Sequence, residues 1–276
     1  MEHRLLDAFG KGGMLHHAQG KWYPGEPLPR WLIGIHWRKD GESIWKDPKW
    51  LASFTKTYTL PKDISITFLK TLTKYLDCPN ESIIPAYEDA FYFLWEEGKL
   101  PVDVEPKDYN KKDTALRRKL GEVLEQGIGK TVGHVLPLAK SNGHWITNSW
   151  EFRSRHLFLT PGNSPIGLRL PLESLPKEPE VPSEPTAEPE LFEEKPVLKD
   201  KLFLFLPPLN SAEDFLDLIA SIEATAKELE IPVVLEGYEP PRDNRLEVLK
   251  ITPDPGVIEV NVHPAKNWQE LTDNTL

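Results

Sequence analysis

Residues 246–263, Leu-Glu-Val-Leu-Lys-Ile-Thr-Pro-Asp-Pro-Gly-Val-Ile-Glu-Val-Asn-Val-His, predict two β-strands joined by a tight turn. The strands are 246–252 and 257–263, which are rich in β-branched residues and aliphatic residues. The connecting residues 253–256, Pro-Asp-Pro-Gly, are the types that turns favour. The sequence therefore predicts a β-hairpin in which each strand can contribute one face to a core.

Three further elements precede this hairpin in the C-terminal part of the chain. Residues 201–206, Lys-Leu-Phe-Leu-Phe-Leu, are typical of a buried strand, and two prolines follow them. Ser211 can cap a helix that extends to about Leu229, and residues 232–236 predict the next strand. The order strand, helix, strand, strand, strand predicts an α+β fold with a mainly antiparallel sheet and a packed helix.

The N-terminal part is predicted to be helical and rich in loops. The predicted helices are 63–76, capped by Asp63, 86–97 and 113–127. Short strand-like segments follow at 132–138, 156–160 and 167–172. The first sixty residues are predicted to be mainly loops, and they contain five of the nine tryptophans.

A proline-rich acidic segment separates the two parts. Residues 176–200 contain six prolines, eight acidic residues and three lysines. Such a segment has too little apolar surface to offset the entropy cost of ordering it. We therefore expect three regions: an aromatic-rich α+β region at 1–175, a linker at 176–200 and a β-α-β-β-β region at 201–276.

Composition limits the classes of function. The chain has 33 basic and 43 acidic residues, a net charge of −10, which disfavours binding to nucleic acid or an anionic membrane. A single cysteine, Cys78, excludes an intramolecular disulfide. No apolar segment reaches the length of a membrane helix, and no signal peptide is evident. We expect a cytoplasmic protein without a nucleic-acid or membrane partner.

Three motifs give only weak evidence for a catalytic or binding site. Residues 127–131, Gly-Ile-Gly-Lys-Thr, lack the earlier glycine of a phosphate-binding loop. His16 and His17 could bind a metal, but neighbouring side chains of an extended chain point in opposite directions, which favours a structural or solvent-exposed role. Cys78 has no evident histidine partner and is predicted to be a packed thiol.

The second strand of the hairpin carries a more promising constellation. Strand alternation places Glu259, Asn261 and His263 on one face. A carboxylate and an amide oxygen suit Mg²⁺, which prefers oxygen ligands. Other polar residues nearby in sequence are Glu236, Arg242 and Lys250. From spacing alone, the favoured interpretation is the alternative, a half-exposed strand with polar residues facing water.

Longer stretches resemble a known family. They are residues 20–31, 37–41, 85–89, 161–165, 170–172, 232–243 and 249–264. Together they resemble the bacterial amidoligase family, which forms the C-terminal region of long proteins that begin with a transglutaminase-like domain. The resemblance covers most of the chain outside the acidic linker.

This resemblance implies a partial glutamine-synthetase-like fold and an ATP-dependent carboxylate–amine ligase. Its substrates would be peptide or amino-acid carboxylates and amines, and its cofactors ATP and Mg²⁺. Glu259, Glu236 and Asn261 would then be the metal ligands. Cofactor binding would involve a wider set of residues: Glu236, Arg242, Lys250, Asn261 and His263.

The family continues with a glycine-rich segment that this sequence lacks. We therefore expect an incomplete ligase region that is inactive alone and that binds a downstream segment or self-associates. One alternative is a non-catalytic binding or scaffold module that uses Trp22, Trp31 and Trp37. A cysteine transglutaminase or protease acting through Cys78 is the weakest alternative.

Overall fold

A computed structural model describes residues 2–21, 30–89, 129–150, 156–161, 166–170, 200–254, 256–261, 264–265 and 267–275. The chain forms two compact units. The first contains residues 1–22, 29–57 and 203–276, and the second contains 23–28 and 58–202. The first unit thus takes its residues from both sides of the predicted linker. Residues 176–199 lie outside the described ranges, so the linker stays a prediction.

The described elements are, in chain order, α1 (Glu2–Phe9), β1 (Met14–Gln19), β2 (Trp31–Arg38), a 3₁₀ turn (Pro48–Trp50), α2 (Ile64–Tyr75), β3 (Ile84–Glu88), β4 (Thr131–Val135), β5 (Ala139–Ser141), β6 (His144–Ile146), β7 (Leu157–Pro161), β8 (Leu168–Arg169), β9 (Leu202–Leu206), α3 (Ala212–Leu229), β10 (Val233–Gly237), β11 (Leu246–Asp254), β12 (Val257–Asn261) and α4 (Trp268–Thr275). This mixture confirms the predicted α+β class. No helix in the described part of the chain is long and apolar enough to cross a membrane.

The first unit is built on a six-stranded open sheet with the order β12-β11-β2-β1-β10-β9. Strands β1, β2, β11 and β12 pair antiparallel in turn, whereas β1 pairs parallel with β10. The predicted hairpin is confirmed as β11 and β12. The two central strands, β1 and β2, come from the segment predicted to be mainly loops, and that prediction is wrong for them.

Helix α3 provides much of the apolar core of the first unit. Ser211 caps it as predicted, because its side chain accepts a hydrogen bond from the backbone N–H of Asp214 at 3.1 Å. Its buried apolar residues recur with helical spacing: Phe215, Leu218, Ile219, Ile222 and Ala226. In the sheet, Ile35, Leu249 and Ile251 are each at most 1% exposed.

The second unit contains a four-stranded sheet, β4-β3-β7-β8, and the hairpin β5–β6. Helix α2 confirms the helix predicted at 63–76, but Asp63 adopts a left-handed conformation with φ of 62° and makes no side-chain cap. The helix predicted at 86–97 is wrong for residues 86–88, which belong to β3. Its remainder from residue 90 onward, and the helix predicted at 113–127, lie outside the described residues.

Candidate functional site

The register of the six-stranded sheet aligns a polar row across its strands. Lys250 pairs with Asn261 on one side and with Gly34 on the other, and Gly34 pairs with His16. Cross-strand partners project from the same face of a sheet. The row Asn261–Lys250–Gly34–His16 therefore lies on one face, together with the alternate residues His36, Thr252 and Glu259. We call this surface the polar face.

Lys250 is the cation at the centre of the polar face. Its Nζ atom donates to both carboxylate oxygens of Glu239, at 2.9 and 2.6 Å. Glu239 lies in the loop after β10, so this loop is held against β11. Both side chains are about one third exposed, which leaves the ammonium group accessible from solvent.

His16 and His36 form a buried pair beside Lys250. Their ring centroids are 5.9 Å apart in an edge-to-face arrangement, and the residues are 0% and 3% exposed. Burial, then His17 and to a lesser degree Lys250, lower the pKa of His16 to about 3. Burial also lowers the pKa of His36, with added contributions from His16 and Lys250. Both imidazoles are therefore neutral at physiological pH.

Three ring nitrogens of this pair have no hydrogen-bond partner: Nδ1 and Nε2 of His16 and Nε2 of His36. The backbone of Gly237 lies near enough to His16 to favour its protonated form, but the geometry falls short of a hydrogen bond. Gly34 provides the room for the second ring. A Cβ atom at this position would lie 2.6 Å from Nε2 of His36.

The outer rows of the polar face contain two ion pairs. Lys21 contacts Glu259 at 2.6 Å, and Arg30 contacts Asp254 at 3.2 Å. Hydrogen bonds from Lys21 and then from the Asn261 side chain lower the pKa of Glu259. Glu259 is therefore an ionised carboxylate next to the Asn261 amide, as the predicted metal site requires.

The structure separates Glu236 from the other predicted residues. Glu236 pairs with His17, whose neighbours across the sheet are Ile33 and Ile251, so it lies on the face opposite Glu259. Four strand spacings of about 4.8 Å also separate the two strands, roughly 19 Å in all. The expected cluster of Glu236 with Glu259 and Asn261 is therefore not formed.

Arg242 and His263 are the two remaining predicted residues. Arg242 is exposed in the loop between β10 and β11, and His263 lies outside the described residues. Within the described part of the chain, no group of three or more His, Cys, Asp or Glu residues is arranged to hold a metal ion. Glu259 and Asn261 alone can still fit Mg²⁺, because this ion often takes one or two protein ligands and completes its shell with phosphates and water.

Sequence reasoning missed His36, Glu239 and Lys21, and it favoured a structural or solvent-exposed role for His16. The opposite orientation of His16 and His17 was correctly expected from strand geometry, but the partners of His16 come from strands far away in sequence. One available signal was Trp31–Arg38, Trp-Leu-Ile-Gly-Ile-His-Trp-Arg, which is a mostly apolar run typical of a central strand. The polar His36 within that apolar run indicates a buried imidazole, which is the signal that could have identified it.

The structure gives little support to the two alternative functions, a tryptophan-based binding module and a cysteine enzyme. Trp31 and Trp37 are half-buried, and Trp37 donates to Glu247, while Trp22 lies outside the described residues. Cys78 is partly buried, and burial followed by the charge of Asp77 raises the pKa of its thiol. A raised pKa disfavours the thiolate that a cysteine nucleophile requires.

Comparison with known families gives one match that spans the chain. A family model described as "putative amidoligase enzyme" matches residues 1–202 and 197–276. No curated protein and no solved structure showed a significant match. The matched segments include every strand of the six-stranded sheet and therefore the whole described polar face.

Proposed function

Because the chain belongs to this amidoligase family, we propose that it is an ATP-dependent carboxylate–amine ligase whose reacting groups bind on the polar face. In such a reaction a carboxylate attacks the terminal phosphoryl group of ATP, and an amine then displaces phosphate to form an amide. Peptide or amino-acid carboxylates and amines are the proposed substrates. The observation that carries the proposal is the row Asn261–Lys250–Gly34–His16, which aligns a cation, an amide and an imidazole on one face.

The residues of the row suit the charge changes of this reaction. The Lys250 ammonium can bind phosphate or carboxylate oxygens, and Glu239 fixes its position through two hydrogen bonds. The Asn261 amide can donate to a second oxygen. Preorganised donors of this kind stabilise the charge that develops during phosphoryl transfer.

The ionised Glu259 carboxylate and the Asn261 amide oxygen are the residues proposed to hold Mg²⁺. When bound, this ion supplies neutralisation of the phosphate charges. Lys21 contacts the same carboxylate at 2.6 Å, so it must release Glu259 or share it when the ion binds. Glu236 has no place in this proposal, because it lies on the opposite face.

Binding of nucleotide to the purified chain tests the proposal. We expect isothermal titration calorimetry to detect ATP binding that needs Mg²⁺ and that weakens at least about ten-fold in Lys250→Met, since an ion pair with phosphate is lost. Lys227→Met removes an exposed lysine from α3 and serves as the matched control. The proposal fails if ATP does not bind, or if both variants weaken binding equally.

Acyl-phosphate chemistry gives a second readout. With ¹⁸O-labelled carboxylate substrates, attack on ATP transfers one ¹⁸O atom to the released phosphate. Mass spectrometry of the phosphate would detect this label. Release of unlabelled phosphate alone would indicate hydrolysis of ATP by water and would contradict the ligase mechanism.

A further inference from the structure

A serine hydroxyl and a histidine ring contact each other in the second unit. Ser65 is the second residue of helix α2, and His134 lies in strand β4. The Oγ atom of Ser65 is 2.8 Å from Nδ1 of His134, which is a hydrogen bond. A serine hydroxyl becomes an effective nucleophile when a base within this distance can take its proton, and imidazole is the commonest such base. The pair therefore has the distance that nucleophilic catalysis requires.

The His134 imidazole has the protonation state that a base needs. Burial lowers the pKa of His134; the charge of Asp63 opposes this effect and the charge of Lys70 adds to it. The ring is therefore neutral at physiological pH. In the tautomer that carries its proton on Nε2, the Nδ1 atom accepts the hydrogen bond from the Ser65 hydroxyl. Donor and acceptor then have the roles required for transfer of the proton to His134.

Asp63 provides a carboxylate next to the same pair. It lies two residues before Ser65 and adopts a left-handed backbone conformation with φ of 62°. Its side chain does not cap α2, but its charge acts on His134 and favours the protonated ring. A carboxylate in this position stabilises the imidazolium that forms when the base takes the proton. Ser65, His134 and Asp63 thus correspond to the nucleophile, the base and the carboxylate of a hydrolase.

The pair is accessible, and backbone donors lie beside it. Ser65 and His134 are both half-buried, so neither residue is closed to solvent. Because the Asp63 side chain does not cap α2, it leaves the backbone N–H groups of the first helical turn, including that of Ser65, to other acceptors. N–H groups at a helix N-terminus stabilise negative charge that develops near them. A carbonyl group bound at Ser65 would place its oxygen close to these donors.

We propose that Ser65 and His134 are the nucleophile and the general base of an acyl-transfer site whose substrates are carboxylic esters. Asp63 is a positioning residue that acts through His134. The inference goes beyond the proposed ligase activity and does not rest on it, because no residue of the polar face takes part.

The reaction has two steps with water as the only co-reactant. In the first, Oγ of Ser65 attacks the carbonyl carbon of the ester while its proton passes to Nδ1 of His134. The bond between that carbon and the alkoxy oxygen then breaks, and the alcohol leaves with this proton. In the second step, water attacks the acyl-serine, and His134 takes a proton from the water and returns it to Oγ. The carboxylic acid is released and the serine is restored.

A fluorophosphonate probe tests the nucleophile in the wild-type chain. An activated serine displaces fluoride from the phosphorus atom and retains the phosphonyl group, which peptide mass spectrometry locates. We expect labelling of Ser65 in the folded chain and none after unfolding in urea. Ser221 is the matched control, because it also lies in a helix, α3, but its hydroxyl donates to the backbone carbonyl of Asp217 at 3.0 Å instead of an imidazole.

Hydrolysis of p-nitrophenyl acetate provides the second measurement. We expect Ser65→Ala and His134→Gln each to lower kcat/KM at least about 100-fold, which is the lower end of what general-base catalysis contributes. Ser221→Ala should leave kcat/KM unchanged. If the two site variants do not fold, as judged by circular dichroism, labelling of the wild-type chain decides. The inference is overturned if Ser65 is not labelled, if Ser221 is labelled equally fast, or if both folded site variants keep wild-type activity.

The role of Asp63 is tested separately with Asp63→Asn. The carboxylate raises the pKa of His134, so its loss should lower that pKa, which imidazole NMR of ¹⁵N-labelled histidine follows. An asparagine also tolerates the left-handed conformation at this position, so the backbone is preserved. A pKa of His134 that does not change in this variant would overturn the assignment of Asp63.

Discussion

At the residue scale, Gly34 is the position on which the polar face depends most directly. An added Cβ would approach Nε2 of His36 to 2.6 Å, closer than real side chains tolerate, and His36 is buried and cannot move freely. We predict that Gly34→Ala lowers the free energy of unfolding by about 1–3 kcal/mol, the usual cost of overpacking. Urea unfolding measures this loss.

Gly133 provides the matched control for that substitution. It also lies within a strand, β4, but a Cβ at this position would have no neighbour within 4 Å. Gly133→Ala should therefore leave stability unchanged or raise it slightly, because alanine loses less backbone entropy on folding. Equal losses in both variants would show that crowding at His36 is not the cause.

The buried His16 and His36, together with the half-buried His17, also predict a dependence of stability on pH. The pKa is lowered to about 3 for His16, to about 4 for His17 and well below its usual value for His36, mainly by burial. Below pH 6.5 these histidines bind protons in the unfolded chain but not in the folded chain. Their full contribution to the free energy of unfolding is therefore present above this pH, and it is lost as the pH falls toward 4. Below pH 6.5, each histidine lowers the free energy of unfolding by about 1.4 kcal/mol per pH unit. Three histidines over the single unit from pH 6.5 to 5.5 predict a loss of about 4 kcal/mol, with little change between pH 7.5 and 6.5.

Urea unfolding at pH 7.5, 6.5 and 5.5 measures this slope. His17→Gln should reduce the slope by about one third, because one of the three contributing groups is removed. His144→Gln, which replaces an exposed histidine, should leave the slope unchanged. An identical slope in wild type and His17→Gln would contradict the assignment.

At the element scale, Glu223 joins helix α3 to the segment before the 3₁₀ turn. Its Oε1 atom accepts hydrogen bonds from the backbone N–H groups of Lys46 and Asp47, both at 2.7 Å. Hydrogen bonds to a charged acceptor are stronger than neutral ones, and their loss leaves two N–H groups without an acceptor. We predict that Glu223→Ala lowers the free energy of unfolding by about 3 kcal/mol, measured by urea unfolding.

Two further variants interpret that result. Glu223→Gln keeps an acceptor oxygen and should lose only about half as much stability. Lys227→Ala removes an exposed side chain from the same helix and should change stability by less than about 0.5 kcal/mol. A similar loss in Lys227→Ala would show that truncating a side chain of α3, rather than losing these two hydrogen bonds, accounts for the effect.

Strand β12 is an exposed edge of the sheet. Val257, Ile258 and Val260 are 61%, 53% and 44% exposed, and edge strands of this kind pair with other chains unless a charge prevents it. We predict self-association that increases with concentration and that Ile258→Lys reduces, measured by light scattering. Tyr75→Lys, which changes an exposed residue of α2, is the control and should not reduce it. A wild-type chain that stays monomeric at all concentrations would contradict this prediction.

The sequence predicts the helices and strands that have strong local signals. It does not predict contacts between residues that are far apart in the chain. Ser211 and the apolar spacing of α3 define that helix without any tertiary information, and the turn at 253–256 defines the hairpin. By contrast, His16 depends on Gly34 and Lys250, and the latter lies more than two hundred residues away. Residues 84–88, Ile-Pro-Ala-Tyr-Glu, are too few to show a helical or strand period, and pairing with β4 and β7 selects the strand.

At the scale of the whole molecule, the order of strands makes the two sides of the chain interdependent. Strands β1 and β2 lie between β10 and β11, so the first unit has no continuous sheet without them. The division predicted from the sequence, with separate regions at 1–175 and 201–276, did not anticipate that strands from both regions form one sheet. Residues 200–276 alone would retain only the outer strand pairs β9–β10 and β11–β12, which are not adjacent to each other.

We therefore predict that a fragment of residues 200–276 is unfolded by itself and folds when mixed with a fragment of residues 1–175. Isolated two-stranded pairs are marginal in water, whereas insertion of β1 and β2 restores six contiguous strands and buries Ile35, Leu249 and Ile251. Amide NMR dispersion of the labelled fragment 200–276, before and after mixing, measures this. The control is the full chain cut after folding at a protease site introduced between 176 and 199, which should keep its melting temperature if that segment is only a linker. A well-dispersed spectrum for 200–276 alone would show that its own strands suffice, and the central position of β1 and β2 would then not be required for folding.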